Sequence, residues 1–231
     1  VSAQIELLQK PIGWKRMTQL TLYYMPLTCA RVTMVALEET GAAYDAKLVN
    51  FFDASNWAEY LKINSRGKVP ALKVDETMLT ENGAILAHLD QQFPGARLFP
   101  KYGSTLGDNA PLQDLFWCSA TLHPMTRMIR NPARFSKTED TSGIHSLGVE
   151  YYQPVLKELE ARFQNQPFWF GEDWSIIDMY LNWNYTTAHG GGLDLSAFPA
   201  IQRHAADVQK RPSVQTVTEK EQSDLKSLGL I

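Results

Sequence analysis

Val69-Pro70-Ala71 and, a short way on, Thr80-Glu81-Asn82-Gly83 carry the residue types from which a binding site can be read. A proline inside a run that otherwise reads as strand removes a ladder donor. It belongs at a strand start, an edge or a bulge. A cis bond before Pro70 would turn the Val69 backbone outward, where its N–H and C=O can pair with an extended peptide. A helix opening at Glu81-Asn82 offers free N–H groups and a positive dipole end to a carboxylate. The two together point to a small peptide-like thiol. Cys29 follows a strand and opens a helix, where the dipole and free N–H groups favour a thiolate. That should lower its pKa below the free-thiol value of about 8.5. The plainer alternative for Cys29 is a buried, inert cysteine. Thr28 beside it reads as a helix cap. His123 is a lone helical histidine followed by Pro124. Ser175-x-x-Asp178 before an apolar run is a capping box, expected to serve folding rather than chemistry.

These residues need elements to hold them. The sequence has 231 residues, 44% hydrophobic and 11% aromatic, enough for a substantial core. A net charge of -3 without a Lys/Arg cluster argues against nucleic acid. Two cysteines, Cys29 and Cys118, make no disulfide framework and favour a reducing compartment. No stretch of about 18 apolar residues exists, so no membrane span is expected. Residues 1–16 read as an extension or remnant ahead of Met17, with neither the apolar stretch nor the cleavage site of a signal peptide.

Leu20 to Tyr24 reads as a strand closed by Pro26, Cys29 to Thr40 as a helix capped by Gly41, and Tyr44 to Val49 as a second strand. This is a βαβ unit. A short helix at Asn56–Leu61, strands at Ala71–Val74 and Met78–Thr80, and a helix from Glu81 to Phe93 complete an α/β layer over 17–93. Residues 94–105 have linker composition. From 106 to 231 the period is helical, with helices at 106–130, 143–164, 175–189, 199–210 and 213–223 and bends at Pro111 and Pro124. The fold class is α/β followed by all-α.

The order and spacing of Leu22-Tyr23-Tyr24-Met25-Pro26-Leu27-Thr28-Cys29, Asn64-Ser65-Arg66-Gly67-Lys68-Val69-Pro70-Ala71, Leu79-Thr80-Glu81-Asn82-Gly83, Leu122-His123, Ser175-Ile176-Ile177-Asp178 and Lys210-Arg211-Pro212-Ser213 resemble a cytosolic glutathione transferase. The chain is most similar to the bacterial beta class. The resemblance implies a thioredoxin-like N-terminal domain, an all-helical C-terminal domain, glutathione as co-substrate, no metal, a small hydrophobic electrophile as second substrate, and a cytoplasmic homodimer. It implies that Val69, next to Pro70, pairs with the cysteinyl part of glutathione. The γ-glutamyl group would meet Glu81 and the Asn82 side chain.

The resemblance also implies that Cys29 lies beside the glutathione sulfur and can form a mixed disulfide with it, whereas Thr28 fits the slot in which other classes keep an activating hydroxyl. His123 would hold the thiolate or assist proton transfer. Pro124 stands where the class often has lysine, and Arg127 or Arg130 could supply that charge. No lysine follows the second strand, so Trp57, Arg66 or Lys68 would meet the glycyl end. Three activities follow: conjugation, thiol transfer through Cys29, or a non-catalytic binding module.

Overall fold

The computed structural model describes residues 18–100 and 109–231. The readings for 1–17 and for 101–108 lie outside them. A four-stranded sheet is built from β1 (Leu20–Tyr24), β2 (Asp45–Leu48), β3 (Ala71–Val74) and β4 (Thr77–Thr80). Its spatial order is β2-β1-β3-β4. β1 runs parallel to β2, with Leu22 opposite Ala46, and antiparallel to β3, with Leu22 opposite Leu72. Helix α1 (Ala30–Thr40) crosses between β1 and β2, α2 (Ala54–Ile63) follows β2, and α3 (Asn82–Gln92) follows β4. This is the thioredoxin-like layer.

The helical part comprises α4 (Asn109–Phe116), α5 (His123–Arg130), α6 (Ser142–Asn165), α7 (Ile176–His189), α8 (Pro199–Gln209) and α9 (Pro212–Ser227). The helix expected over 106–130 is not continuous. Trp117–Leu122 is a wide π-type turn, closed by a bond from the His123 N–H to the Cys118 carbonyl five residues back. Pro124 has no N–H to give, so the regular ladder is interrupted there and the wide turn takes up the mismatch. Short 3-10 turns at Pro94–Ala96 and Pro132–Phe135 were not foreseen.

The spacing of Val32, Val35, Ala36 and Leu37 suggests an α1 with one apolar face. In the structure Thr33 and Met34 are buried too, because α3, α7 and α9 all pack on this helix. A helix apolar nearly all round belongs inside. It puts Cys29 at a seam between the sheet layer and the helices. Leu98 and Phe99 are buried, and the Leu98 carbonyl accepts from the Ile176 N–H, so the chain after α3 is packed against the start of α7.

Asp178 organises the helical part. It is fully buried and accepts from the Ser175 N–H at 2.9 Å, the Ser175 hydroxyl at 3.0 Å and the Trp169 N–H at 2.6 Å. His204 Nε2 lies 3.1 Å from it, and the other ring nitrogen lies 2.8 Å from the Tyr185 hydroxyl. One carboxylate thus fixes the start of α7, the turn before it and α8. Replacing Asp178 by Ala leaves buried donors unpaired. We expect a loss of about 3–5 kcal/mol in urea unfolding, with β-sheet and cleft residues otherwise unaltered. A loss below about 1 kcal/mol would show the box to be dispensable.

Candidate active site

A cleft of about 870 Å³ runs between the sheet layer and the helices. It gathers Thr28, Cys29, Lys68, Val69 and His123, together with Arg127, Arg130 and Trp57 from the residues weighed in the sequence. Pro70, Glu81, Asn82 and Arg66 are not on its wall.

The Val69–Pro70 bond is cis. Val69 lies beside Cys29, whose thiol donates to the Val69 carbonyl across 3.7 Å. Cys29 stands at the N-cap of α1 and is buried. Dipole reasoning calls for a lowered pKa there. The structure reverses this: burial pushes the thiol up to about 12, and the nearby Arg127 guanidinium only partly offsets it. Taking a thiolate out of water costs more than one helix terminus and one cation return.

The Thr28 hydroxyl donates to the Met25 carbonyl at 2.7 Å and accepts from the Ala30 N–H at 3.3 Å. Its proton is used within its own loop, and its oxygen takes up the first N–H of α1 in the manner of a cap.

Asn82 does not face a ligand. It is buried, its Nδ2 donating to the Cys29 carbonyl at 2.9 Å and its Oδ1 accepting from the Thr33 hydroxyl at 2.6 Å. The side-chain role expected for it is therefore corrected: its amide is satisfied by α1. Glu81 holds a positive φ of 71° ahead of α3, and its exposed carboxylate lies 3.9 Å from the Arg66 guanidinium. The Glu81 carboxylate stays accessible for a charged group, whereas Asn82 and Gly83, the first residues of α3, are buried. Arg66 also donates to the Thr80 hydroxyl at 2.9 Å, on the same rim.

Among the glycyl-end candidates, Trp57 and Lys68 line the cleft, whereas Arg66 pairs with Glu81 outside it. Trp57 is packed against Gly67, which has a φ of 56°. A Cβ there would sit 2.8 Å from the indole, so glycine is required.

His123 opens α5. Its Nδ1 lies 3.3 Å from the Tyr180 hydroxyl, and its Nε2 accepts from Arg127 Nε at 3.1 Å. An imidazole that accepts at Nε2 carries its proton on Nδ1 and is neutral. Burial, then the Arg127 charge, lowers its pKa to about 3. His123 thus faces the cleft as a neutral ring, with both nitrogens engaged. Trp183 packs edge-on against it at 4.6 Å.

Several cleft residues carried no signal in the sequence. Arg134, in the 3-10 turn after α5, lines the wall, as do Phe51 and Phe52 after β2 and Leu225 and Leu230 from the C-terminal end. The arginine spacing 127, 130 and 134 marks one side of a helix and the turn beyond it. Nothing local says that this side meets the sheet layer. Among the described residues no cluster of three His, Cys, Asp or Glu could hold a metal. No described helix is long and apolar enough to cross a membrane.

A thioredoxin-like layer with helices laid against it, and a cysteine at the first helix of that layer facing the cleft, is the architecture of a glutathione transferase. Residues 18–91 match the family described as glutathione S-transferase, N-terminal domain. The chain is similar to the glutathione S-transferase GstA of Escherichia coli O157:H7, with 26% identity over 205 residues covering 84% of this chain and 94% of the relative. It is similar to the disulfide-bond oxidoreductase YfcG of Escherichia coli K12, with 28% identity over 202 residues covering 83% and 91%. It also matches the crystal structure of a glutathione transferase homologue from Sulfitobacter with bound glutathione. There the TM-score is 0.76 and the identity 28%, over 88% of this chain and 99% of that one. Sequence and structural similarity over most of the chain thus support the cytosolic glutathione transferase superfamily.

Two measurements check the electrostatics. A thiol held at about 12 is almost wholly protonated near pH 8. Alkylation of Cys29 by iodoacetamide in the folded protein should therefore run at under about a hundredth of the rate of a free thiol. A rate near that of free cysteine contradicts this. His123 should show no titration of its Cε1–H resonance between about pH 5 and 8. Its folded pKa is depressed, so its neutral form contributes stability above about pH 6.5. That contribution is lost as pH falls toward the folded value, because only the unfolded chain takes up the proton.

Proposed function

We propose that the protein is a glutathione transferase that conjugates the glutathione thiolate to a small hydrophobic electrophile. One observation carries the reading. The Val69 backbone ahead of the cis proline, the Cys29 thiol at the start of α1 and the neutral His123 of α5 meet in one cleft. Bound glutathione structures among the relatives support the co-substrate.

In this reading the cysteinyl part of glutathione pairs with the Val69 backbone. The γ-glutamyl carboxylate takes the α3 N-terminus, and Glu81 meets its ammonium. Lys68 and Trp57 receive the glycyl end. The sulfur lies against the first turn of α1, where the free N–H groups and the positive end of the helix stabilise the thiolate. Cys29, kept protonated, donates its S–H to that thiolate instead of to Val69. Thr28 caps the loop and is not the activating group. The thiolate then attacks the electrophile, and the leaving group departs into the cleft. The protein works as a cytoplasmic homodimer, which light scattering at micromolar concentration tests.

A second reading is favoured by the position of Cys29 in the cleft and by the similarity to a disulfide-bond oxidoreductase. In thiol transfer the Cys29 thiolate attacks a glutathionyl disulfide. The departing thiolate takes a proton from water, and a second glutathione thiolate attacks the mixed disulfide, releasing oxidised glutathione and regenerating Cys29. The high pKa of Cys29 makes this the slower route.

Calorimetry with glutathione and turnover of 1-chloro-2,4-dinitrobenzene test the proposal. Binding with no turnover of any electrophile would identify a binding module. Cys29→Ala separates the two chemistries. Disulfide reduction should fall more than about a hundredfold, whereas conjugation should fall by less than about tenfold, the worth of one hydrogen-bond donor. A conjugation loss above about a hundredfold would assign Cys29 the primary role.

A further inference from the structure

We infer that the helical side of the cleft takes an anion: an electrophile with a carboxylate or sulfonate head on a flat apolar body. The naming of this ligand as a substrate rests on the transferase reading above. The charge pattern behind it stands by itself.

The chain has 25 acidic side chains against 22 Lys and Arg. The cleft inverts that balance. Arg31, Lys68, Arg127, Arg130 and Arg134 line it, and among the described residues no Asp or Glu does. Two of the five have other work. Arg31 is paired with Glu221, whose side chain is 1% exposed. Lys68 adjoins Val69 on the sheet side, where the tripeptide would lie.

Arg127, Arg130 and Arg134 form a separate group on the helical wall. Arg127 and Arg130 are one turn apart on α5, and Arg134 follows in the next turn of chain. Among the described residues no carboxylate comes within ion-pair distance of any of them. Among the described residues the side-chain partner of this group is neutral: Arg127 donates to the His123 ring.

The wall that carries these arginines is closely packed at the end of α5. A Cβ on Gly191, just beyond α7, would lie 2.8 Å from the Arg130 Cα, so the glycine lets the end of α5 seat directly on the chain after α7. Phe51, Phe52 and Trp183 line the same cleft. Three like charges on one wall repel each other, and a cleft of low-dielectric walls sharpens their field. An anion relieves that repulsion. The planar guanidinium forks suit carboxylate or sulfonate oxygens, and the aromatic surfaces suit a ring.

The test uses two fluorescent probes that differ only in the charged head: 8-anilinonaphthalene-1-sulfonate and N-phenyl-1-naphthylamine. We expect the sulfonate to bind at least about tenfold more tightly at low ionic strength, with the preference collapsing in about 0.5 M KCl. In the double variant Arg130→Gln/Arg134→Gln the affinity ratio should fall to about threefold or less. Both side chains are exposed, so the variant should fold, which circular dichroism checks. Equal affinities in the parent protein, or a ratio that survives the double substitution, overturn the inference. So does weakened binding of S-methylglutathione with the probe ratio unchanged, which would assign the arginines to the tripeptide.

Turnover then links the anion to chemistry. Relative to their uncatalysed rates, 4-chloro-3-nitrobenzoate should be favoured over 1-chloro-2,4-dinitrobenzene, and the double variant should lower that selectivity about tenfold. If neither halide consumes glutathione, the transferase reading fails, while the probe ratio still decides whether the wall binds anions.

Discussion

The buried amide of Asn82 sets the geometry on which the site depends. It sits at the first residue of α3 and reaches across to α1, bonding the Cys29 carbonyl at one end and the Thr33 hydroxyl a turn further on. Both contacts are shielded from water, where an unpaired amide would cost about 1–3 kcal/mol. Two bonds to two turns of one helix fix its rotation as well as its distance. The thiol of Cys29 and the carboxylate of Glu81 therefore hold one spacing, and the Val69 carbonyl is fixed against the thiol. Tyr180 extends the network. Its hydroxyl interacts with Asn82 and lies 3.3 Å from His123, so α7 and α5 are referred to the same amide.

The opposite side of the β1–α1 loop is held by the C-terminal helix. Glu221 on α9 accepts from the Leu27 N–H at 3.2 Å and pairs with Arg31. The Tyr24 hydroxyl donates to Asp224 at 2.5 Å, and Arg211 pairs with Glu39 of α1 at 2.8 Å. Leu27 has a positive φ of 61°, a conformation that a leucine adopts only when its surroundings hold it there. The loop that carries Thr28 and Cys29 is thus pinned between Asn82 and α9. Glu221 also decides which cations the cleft presents. By pairing with Arg31 it leaves the arginines of α5 as the dominant positive charge on the helical side.

The element order was legible because it is local: short apolar strand runs, the Gly41 cap and the Ser175-x-x-Asp178 box each announce themselves within a few residues. Of the site residues read from the sequence, Thr28, Cys29, Lys68, Val69 and His123 line the cleft and Pro70, Glu81 and Asn82 do not, and orientation was not legible at all. Asn at a helix start looks like a solvent-facing cap, yet its partners lie 49 and 53 residues away in sequence. A helix dipole at Cys29 can be read from two neighbouring elements. The desolvation that overrules it comes from α7 and the Val69 turn, which no local pattern reveals. The same holds for α1, whose second apolar face is explained only by the helices that cover it. The wide turn at Trp117–Leu122 follows from Pro124, but the sequence announced a bend and could not say that the backbone would widen.

Burial keeps the Cys29 thiol and the His123 imidazole neutral, and Arg127 acts on the two in opposite senses. Its charge favours a thiolate at Cys29 and disfavours an imidazolium at His123. Burial opposes the charged form of each. For the thiol the two influences compete and burial wins. For the imidazole they add. A second positive charge at His123 is therefore excluded while Arg127 donates to its ring. The positive charge near the thiol is then a guanidinium, which does not lose its proton at any physiological pH. On the proposed reading an incoming thiolate meets a helix terminus and a permanent cation, with no proton uptake by the protein. The attraction holds across the pH range in which a histidine-based site would switch off. On that reading the imidazole's part is steric and orienting: it packs against Trp183 and holds the Arg127 guanidinium through one hydrogen bond.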